Sequence, residues 1–230
     1  MKKALFISLV VMVSLYGQPV VSPFAAVWVD DDYPVAEDTD GDMYFKTISA
    51  AVNAVYENGT VNVHPGVYTP AVQISLKNGV LLTSVEGASV TIIDFVGVWC
   101  GYWSTGTGGV DIPYGVSNAV IDGFTIQGGS PASDALISVG GCNNCVQNNI
   151  VIGDPASGGQ DIGVHIGDLA QGAQQLPSGN AVLNNHIYNH AGAGVFVGNW
   201  AGTNNVISGN TIHGNVIGGI PGLNGNGIEL

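Results

Sequence analysis

The chain has 230 residues, with 17 acids set against four lysines and no arginine, giving a net charge of −13. Such a surface repels nucleic acid, anionic lipid headgroups and polyuronates unless cations intervene, and it favours calcium or a neutral polymer as partner. At 46% hydrophobic and 9% charged residues with 35 glycines, the composition excludes disorder and suits one domain of short buried strands joined by tight turns.

Residues 1–26 read as an export signal or, left uncleaved, as an N-terminal anchor. Lys2 and Lys3 make the positive end, and Ala4–Tyr16 is an apolar run too short to span a bilayer comfortably. Either outcome puts residues 27–230 outside the cytoplasm, secreted or held at the cell surface or envelope. No stable membrane span is expected unless the N-terminus stays uncleaved. All the acids follow Val29, so removing the leader leaves two lysines against 17 acids, or −15.

Asp30-Asp31-Asp32 opens an acidic stretch that runs to Asp42. Asp38, Asp40 and Asp42 alternate as carboxylates do in a calcium loop, although the glycine and the distant glutamate of an EF-hand are missing. They are candidate metal ligands within what is otherwise a solvated loop. Thr47–Tyr56 is the one convincing helix. Ile48, Val52 and Val55 share a face, Thr47 caps the start, and Asn58-Gly59 is the stop signal. It is expected to cap the first turn of the strand-rich region on its C-terminal side. Val61–Val63, Val67-Tyr68, Val72–Ile74, Val80–Leu82 and Val90–Asp94 are short alternating strands bounded by Gly, Pro and Asn.

From residue 109 the sequence repeats. GVDI (109–112), LISVG (136–140), GVHIG (163–167), GVFVG (194–198) and GIEL (227–230) align on Val110, Ile137, Val164, Val195 and Ile228, spaced by 27, 27, 31 and 33 residues. A second phrase, apolar-x-x-Asn-x-apolar, recurs as Val146/Asn149/Val151, Val182/Asn185/Ile187 and Ile207/Asn210/Ile212, with Ile121/Phe124/Ile126 as a variant copy. Two strand phrases alternating at this period, with no helix between them, predict an all-β parallel β-helix in which equivalent residues stack into columns. The aligned aliphatics face inward, and Asn149, Asn185 and Asn210 form an amide ladder.

Register also defines the candidate site. Between the inward pairs lies an outward row of Asp111, Ser138, His165, Phe196 and Glu229. Asp134 and Asp161 each precede the aligned aliphatic by three residues, so they should stack about 5 Å apart, near the carboxylate separation of retaining glycosidases. One carboxyl of such a pair holds its proton more tightly, supplying an acid beside a base, or the pair recruits a cation. Asp134, Asp161 and His165 are therefore the candidate catalytic residues. Asp111, Ser138, His165, Phe196 and Asp168 are the candidate ligand contacts, with Phe196 offering a ring to a sugar. The alternative is that all of them are ordinary solvent-facing residues. An insertion, Asp168–Gly179, stretches the Val164-to-Val182 spacing to 18 residues and flanks this row. Trp99, Trp103, Trp200, Tyr102 and Tyr114 serve either as a carbohydrate platform or as packing at loop bases.

Cys100, Cys142 and Cys145 are odd in number, so a fully paired monomer is excluded. His64, His186, His190 and His213 read as surface or turn residues. The chain stops at Leu230 in mid-rung, so the expectation is either a C-terminal continuation or a partner chain over the last rung.

The runs VWVDDDYP, FKTISAAVNAV and GTVNVHPGVY, followed by the Asn-bearing rungs, resemble the right-handed parallel β-helix proteins of the pectate-lyase-like superfamily across residues 27–230. The resemblance implies the fold; for function it spans polysaccharide lyases, glycoside hydrolases, uronate epimerases, copper-insertion accessory proteins and non-catalytic surface proteins. Lyase chemistry of that kind implies a basic residue to take the C5 proton. With no arginine, and with Lys46 and Lys77 in the capping helix and early rungs, that activity is not expected. The Gly-His-Gly signature of polygalacturonases is absent, since His213 stands in Ile212-His213-Gly214, and the alginate epimerase pattern is reduced to Tyr114-Gly115. What remains is an exported surface protein binding extracellular polysaccharide or a cell-surface glycan through an outward strand face. The alternative is a glycoside-active enzyme using stacked aspartates.

Overall fold

In a computed structural model, residues 24–34, 42–96, 108–128, 135–154, 162–167, 176–198, 201–215 and 227–229 are described. β1 (Phe24–Val29) and β2 (Tyr44–Phe45) precede a short helix, α1 (Ile48–Ala54), the one helix among the described residues. Six turns of three strands each follow. They are β3 (Val55–Val63), β4 (Gly66–Tyr68) and β5 (Ile74–Ser75); β6 (Leu81–Ser84), β7 (Thr91–Asp94) and β8 (Gly108–Ile112); then β9 (Val120–Asp122), β10 (Thr125–Gln127) and β11 (Ala135–Val139). The last three turns are β12 (Cys145–Gln147), β13 (Ile150–Ile152) and β14 (Ile162–Ile166); β15 (Ala181–Leu183), β16 (His186–Tyr188) and β17 (Val195–Val197); and β18 (Val206–Ser208), β19 (Thr211–His213) and β20 (Ile228–Glu229).

Each turn contributes one strand to each of three sheets, ordered β18-β15-β12-β9-β6-β3-β1-β2, β19-β16-β13-β10-β7-β4 and β20-β17-β14-β11-β8-β5. Every pairing is parallel, so the chain is a β-helix, as its repeat period demands. In the third sheet Val110, Ile137, Val164, Val195 and Ile228 are successive partners. The first four are fully buried. Leu82–Ile121–Val146–Val182 and Ile93–Ile126–Val151–Ile187 are the matching inward columns of the other two sheets. Each such side chain contributes about 1.5–3 kcal/mol of burial before entropy is charged against it.

The bend between first-sheet and second-sheet strands explains the Asn phrase. Gly123, Asn148, Asn184 and Gly209 occupy it with φ of 81°, 55°, 55° and 70°, a left-handed conformation that Gly and Asn tolerate best. The next residue on each rung is Phe124, Asn149, Asn185 or Asn210. Asn149 Oδ1 accepts from Phe124 N, Asn185 Oδ1 from Asn149 N and Nδ2, and Asn210 Oδ1 from Asn185 N and Nδ2, all within 2.8–3.1 Å. The ladder expected from sequence is present. A second one, Asn144–Asn180–Asn205, lies five residues earlier on each rung and follows left-handed Asn143, Gly179 and Asn204.

Two boundaries differ from expectation. β1 begins at Phe24, inside the segment read as leader, because Phe24 and Ala26 pair with Val55 and Thr60. α1 ends at Ala54 instead of Tyr56, because β3 claims the chain from Val55 and carries Asn58-Gly59 within its strand. Thr47 does cap the helix, its hydroxyl accepting from Ala50 N. α1 packs on β1, β3 and β5 and buries Ile48, Ala51 and Val52 at the N-terminal end of the core. His190 is buried, contrary to its reading as a surface or turn residue, and its backbone N–H donates to Asn215 Oδ1. Among the described residues no helix is long and apolar enough to cross a membrane.

Candidate functional site

Parallel register assembles the predicted row on consecutive rungs. Along the third sheet Ser75, Asp111, Ser138, His165, Phe196 and Glu229 are successive partners, one per rung and about 4.8 Å apart. Because Val110 and Ile112, Ile137 and Val139, and Val164 and Ile166 point into the core, the residues between them point away from it.

Pointing away from the core does not mean facing water. Asp111, Ser138 and His165 are 3%, 7% and 3% exposed, and all five residues of β11 and of β14 are buried. This corrects the solvent-facing expectation: these strands are covered on both faces, as parallel sheets commonly are. The row reaches the surface only towards its ends, at exposed Ser75 and at half-buried Phe196 and Glu229.

Burial sets the chemistry of the row. Desolvation pushes the Asp111 carboxyl up to about 6, offset in part by hydrogen bonds from the Ser138 and Ser75 hydroxyls. The group thus exchanges its proton near neutrality, the range in which a carboxyl serves as acid or base. Two rungs on, the His165 ring stacks on Phe196 at 5.2 Å between centroids. A Cβ on either Gly167 or Gly198 would stand 3.0 Å from His165 Nε2, so the glycines closing GVHIG and GVFVG make room for that imidazole. At the far end Glu229 Oε2 is buried without a hydrogen-bond partner.

The remaining sequence candidates fall into two groups. Asp134, Asp161 and Asp168 lie outside the described residues, as do Asp38, Asp40, Cys100, Trp99, Tyr102, Trp103 and Trp200. Asp42 is engaged within the protein, accepting from Tyr44 N at 2.9 Å and from the Tyr33 hydroxyl at 2.8 Å. Nearby, carboxylate oxygens of Asp30, Asp31 and Asp32 all lie within 4.8 Å of one another. Two of those acids also serve the backbone, Asp31 accepting from Val67 N and Asp30 from Asp32 N. Cys142 and Cys145 are free thiols; burial, with Asp122 adding to it, pushes the Cys145 thiol up.

Sequence reasoning missed Ser75, which extends the row by a rung. Its signal was present: Ile74 is the inward aliphatic of the preceding turn, and Ser75 follows it as Asp111 follows Val110. It also missed a chain of rings beside the acidic stretch. Tyr44 lies 5.9 Å from Trp28, 5.8 Å from Tyr33 and 6.2 Å from His64.

The sequence model of the family described as the right-handed beta helix region matches residues 72–230. Two solved structures are similar in fold. One is PfbA, a surface adhesin of Streptococcus pneumoniae, at 14% identity over 66% of this chain and 55% of that one, with a TM-score of 0.37. The other is the A-module of the Azotobacter vinelandii mannuronan C-5 epimerase AlgE6, at 19% identity over 71% and 51%, with a TM-score of 0.31. The chain spans about half the length of each. No curated protein matches it.

Proposed function

From the premise that this chain belongs to the right-handed β-helix family, we propose that it is an exported surface module that binds extracellular carbohydrate through the outward row of its third sheet. The observation that carries the proposal is the continuity of that row. It runs hydroxyl, carboxyl, hydroxyl, imidazole and aromatic ring on consecutive rungs, with the stacked His165–Phe196 pair where it nears the surface. A sugar offers a C–H face to the Phe196 ring and a hydroxyl to Glu229 where the row reaches the surface, while the covered Asp111, Ser138 and His165 order that edge from behind. Phe196 and Glu229 make the accessible edge, and Asp168 opens the insertion that follows β14 in the sequence.

A second reading is favoured by the proton affinity of Asp111. A carboxyl titrating near 6, in a row whose strands β11 and β14 directly follow Asp134 and Asp161 in the sequence, is what a glycoside hydrolase needs of its acid. One experiment separates the two. The purified protein is run through affinity electrophoresis against neutral and acidic polysaccharides, and the same polymers are assayed for new reducing ends. The module reading expects retardation by at least one polymer, weakened about tenfold or more in Phe196→Ala, without product. Product that disappears in Asp161→Asn while binding persists establishes the enzyme instead. Binding to no polymer, or binding indifferent to Phe196→Ala, sinks the proposal.

A further inference from the structure

The second sheet carries a separate constellation. Ile187 and Ile212 are inward partners on β16 and β19, so His186 and Tyr188 on one rung and His213 on the next all face outward. Read in sequence as surface or turn residues, these histidines are brought together by register, since His213 sits opposite Tyr188. The Tyr188 ring stacks on His213 at 5.3 Å and 8°, and lies 4.7 Å from His186. Held in this way, the two imidazoles meet Nε2 to Nε2 at 2.8 Å.

We propose that His186 and His213 form a two-imidazole binding site for a tetragonal divalent transition ion, Cu2+ or Ni2+. Metal–imidazole bonds of ~2.0–2.1 Å at a right angle put the two donor nitrogens ~2.9 Å apart, whereas a tetrahedral ion needs ~3.4 Å. The observed separation therefore fits adjacent corners of a square. Before binding, one Nε2–H donates to the other Nε2. On binding, that proton moves to Nδ1 of its own ring, which frees both Nε2 lone pairs and leaves the number of bound protons unchanged. The site faces outward, with His213 exposed, so water fills the remaining positions. The chain's net charge of −13 draws cations towards it. Tyr188 is a positioning residue, ordering the two rings without touching the ion.

The test uses tag-free protein. Ni2+ binding is measured by calorimetry, and Cu2+ binding by electron paramagnetic resonance, which reads the coordinated nitrogens. The expected result is one ion per chain with two equivalent-type nitrogen couplings. Affinity should fall about tenfold or more in His186→Ala and in His213→Ala, and by a smaller factor in Tyr188→Leu, with the circular dichroism of each variant unchanged. Equal binding by wild type and His213→Ala, or no stoichiometric binding by folded wild type, overturns the site. Uptake of Zn2+ with tetrahedral spectroscopy of a Co2+ substitute overturns the tetragonal assignment. The site is distant in chemistry from the third-sheet row, so glycan binding should be indifferent to His213→Ala.

Discussion

Replacing Asn185 by Ala tests whether the amide ladder holds the rungs in register. Its side chain is 2% exposed. Its Oδ1 accepts from Asn149 N at 3.0 Å and Asn149 Nδ2 at 3.1 Å, while its Nδ2 donates to Val146 O at 2.9 Å and Asn210 Oδ1 at 3.0 Å. Alanine removes all four bonds and strands a buried N–H on Asn149. At ~1 kcal/mol net per bond, with the stranded donor at the upper end of the range, the loss is about 3–5 kcal/mol. For a chain of this size that corresponds to a fall in Tm on the order of 10 °C. Asn210 is the control. It makes the same bonds towards β15 but is half-buried, so water replaces part of what alanine removes, and the expected loss is about 1 kcal/mol. Urea unfolding followed by circular dichroism gives both values, and hydrogen exchange at the Asn149 amide reports the broken rung directly. A solenoid can unfold by sections, so equal slopes in the two variants are a condition for comparing their midpoints. A loss under about 1 kcal/mol in Asn185→Ala, or equal losses in both variants, would refute the ladder as the element that ties rungs together.

Asp111 gives a pH signature. Its folded pKa of about 6 lies above the unfolded value, so between roughly pH 4 and 6 the folded state binds more protons, and stability falls as pH rises through that window. The full effect is about 3 kcal/mol, and Asp111→Asn should abolish that portion of the slope, so that the variant gains on wild type at pH 7.5 and not at pH 4. Parallel melting curves of the two proteins across this range would contradict the assignment. Gly141→Ala places a Cβ 1.6 Å from Val116 O, which also accepts from Cys142 N and Asn144 Nδ2. A destabilisation of about 3 kcal/mol or more is expected. Gly227→Ala, whose new Cβ meets only ordinary contacts from 3.7 Å among the described residues, should be near neutral, and a wild-type midpoint for Gly141→Ala would show that the backbone yields there.

Columns were legible in sequence because a parallel β-helix converts a fixed chain spacing into a spatial neighbour. Val164 and Val195, 31 residues apart, pair directly, and so do His165 and Phe196. The second amide ladder carries a Gly-Asn or Asn-Asn pair five residues before Asn149, Asn185 and Asn210, but Gly141, Pro177 and Gly202 stand where the apolar-x-x-Asn-x-apolar phrase has its leading aliphatic, so the phrase does not mark it. The helix end was illegible for a different reason. The helical spacing of Ile48, Val52 and Val55 continues past Ala54, but β-favouring Val55 and Tyr56 and the pairing of β3 with β1 along the first sheet outweigh it. The fate of the outward row was not in the repeat at all. Alternation tells which side of a strand a residue leaves, while cover on that side depends on segments without periodicity.

The three outward faces differ in a way that bears on where a ligand can bind. On the first sheet Gln147 Nε2 and Asn148 Nδ2 both donate to Asp122, and on the second Gln127 Nε2 donates to Asp94. Those carboxylates spend their hydrogen-bonding capacity on the neighbouring rung, in contact with solvent, so a sugar hydroxyl arriving there would displace partners of similar strength for little net gain. On the third sheet the carboxyl is desolvated, its partners are hydroxyls that can turn to donate or accept, and the next rungs offer an imidazole against a ring. A ligand hydroxyl arriving at the row's accessible end would meet Glu229 Oε2, already stripped of water and without a partner, so that bond forms without a second desolvation penalty on the protein side. Buried polar groups of this kind weaken the fold, as the raised Asp111 pKa records, and a sheet that only had to close the solenoid would be better served by Val or Thr at the same positions.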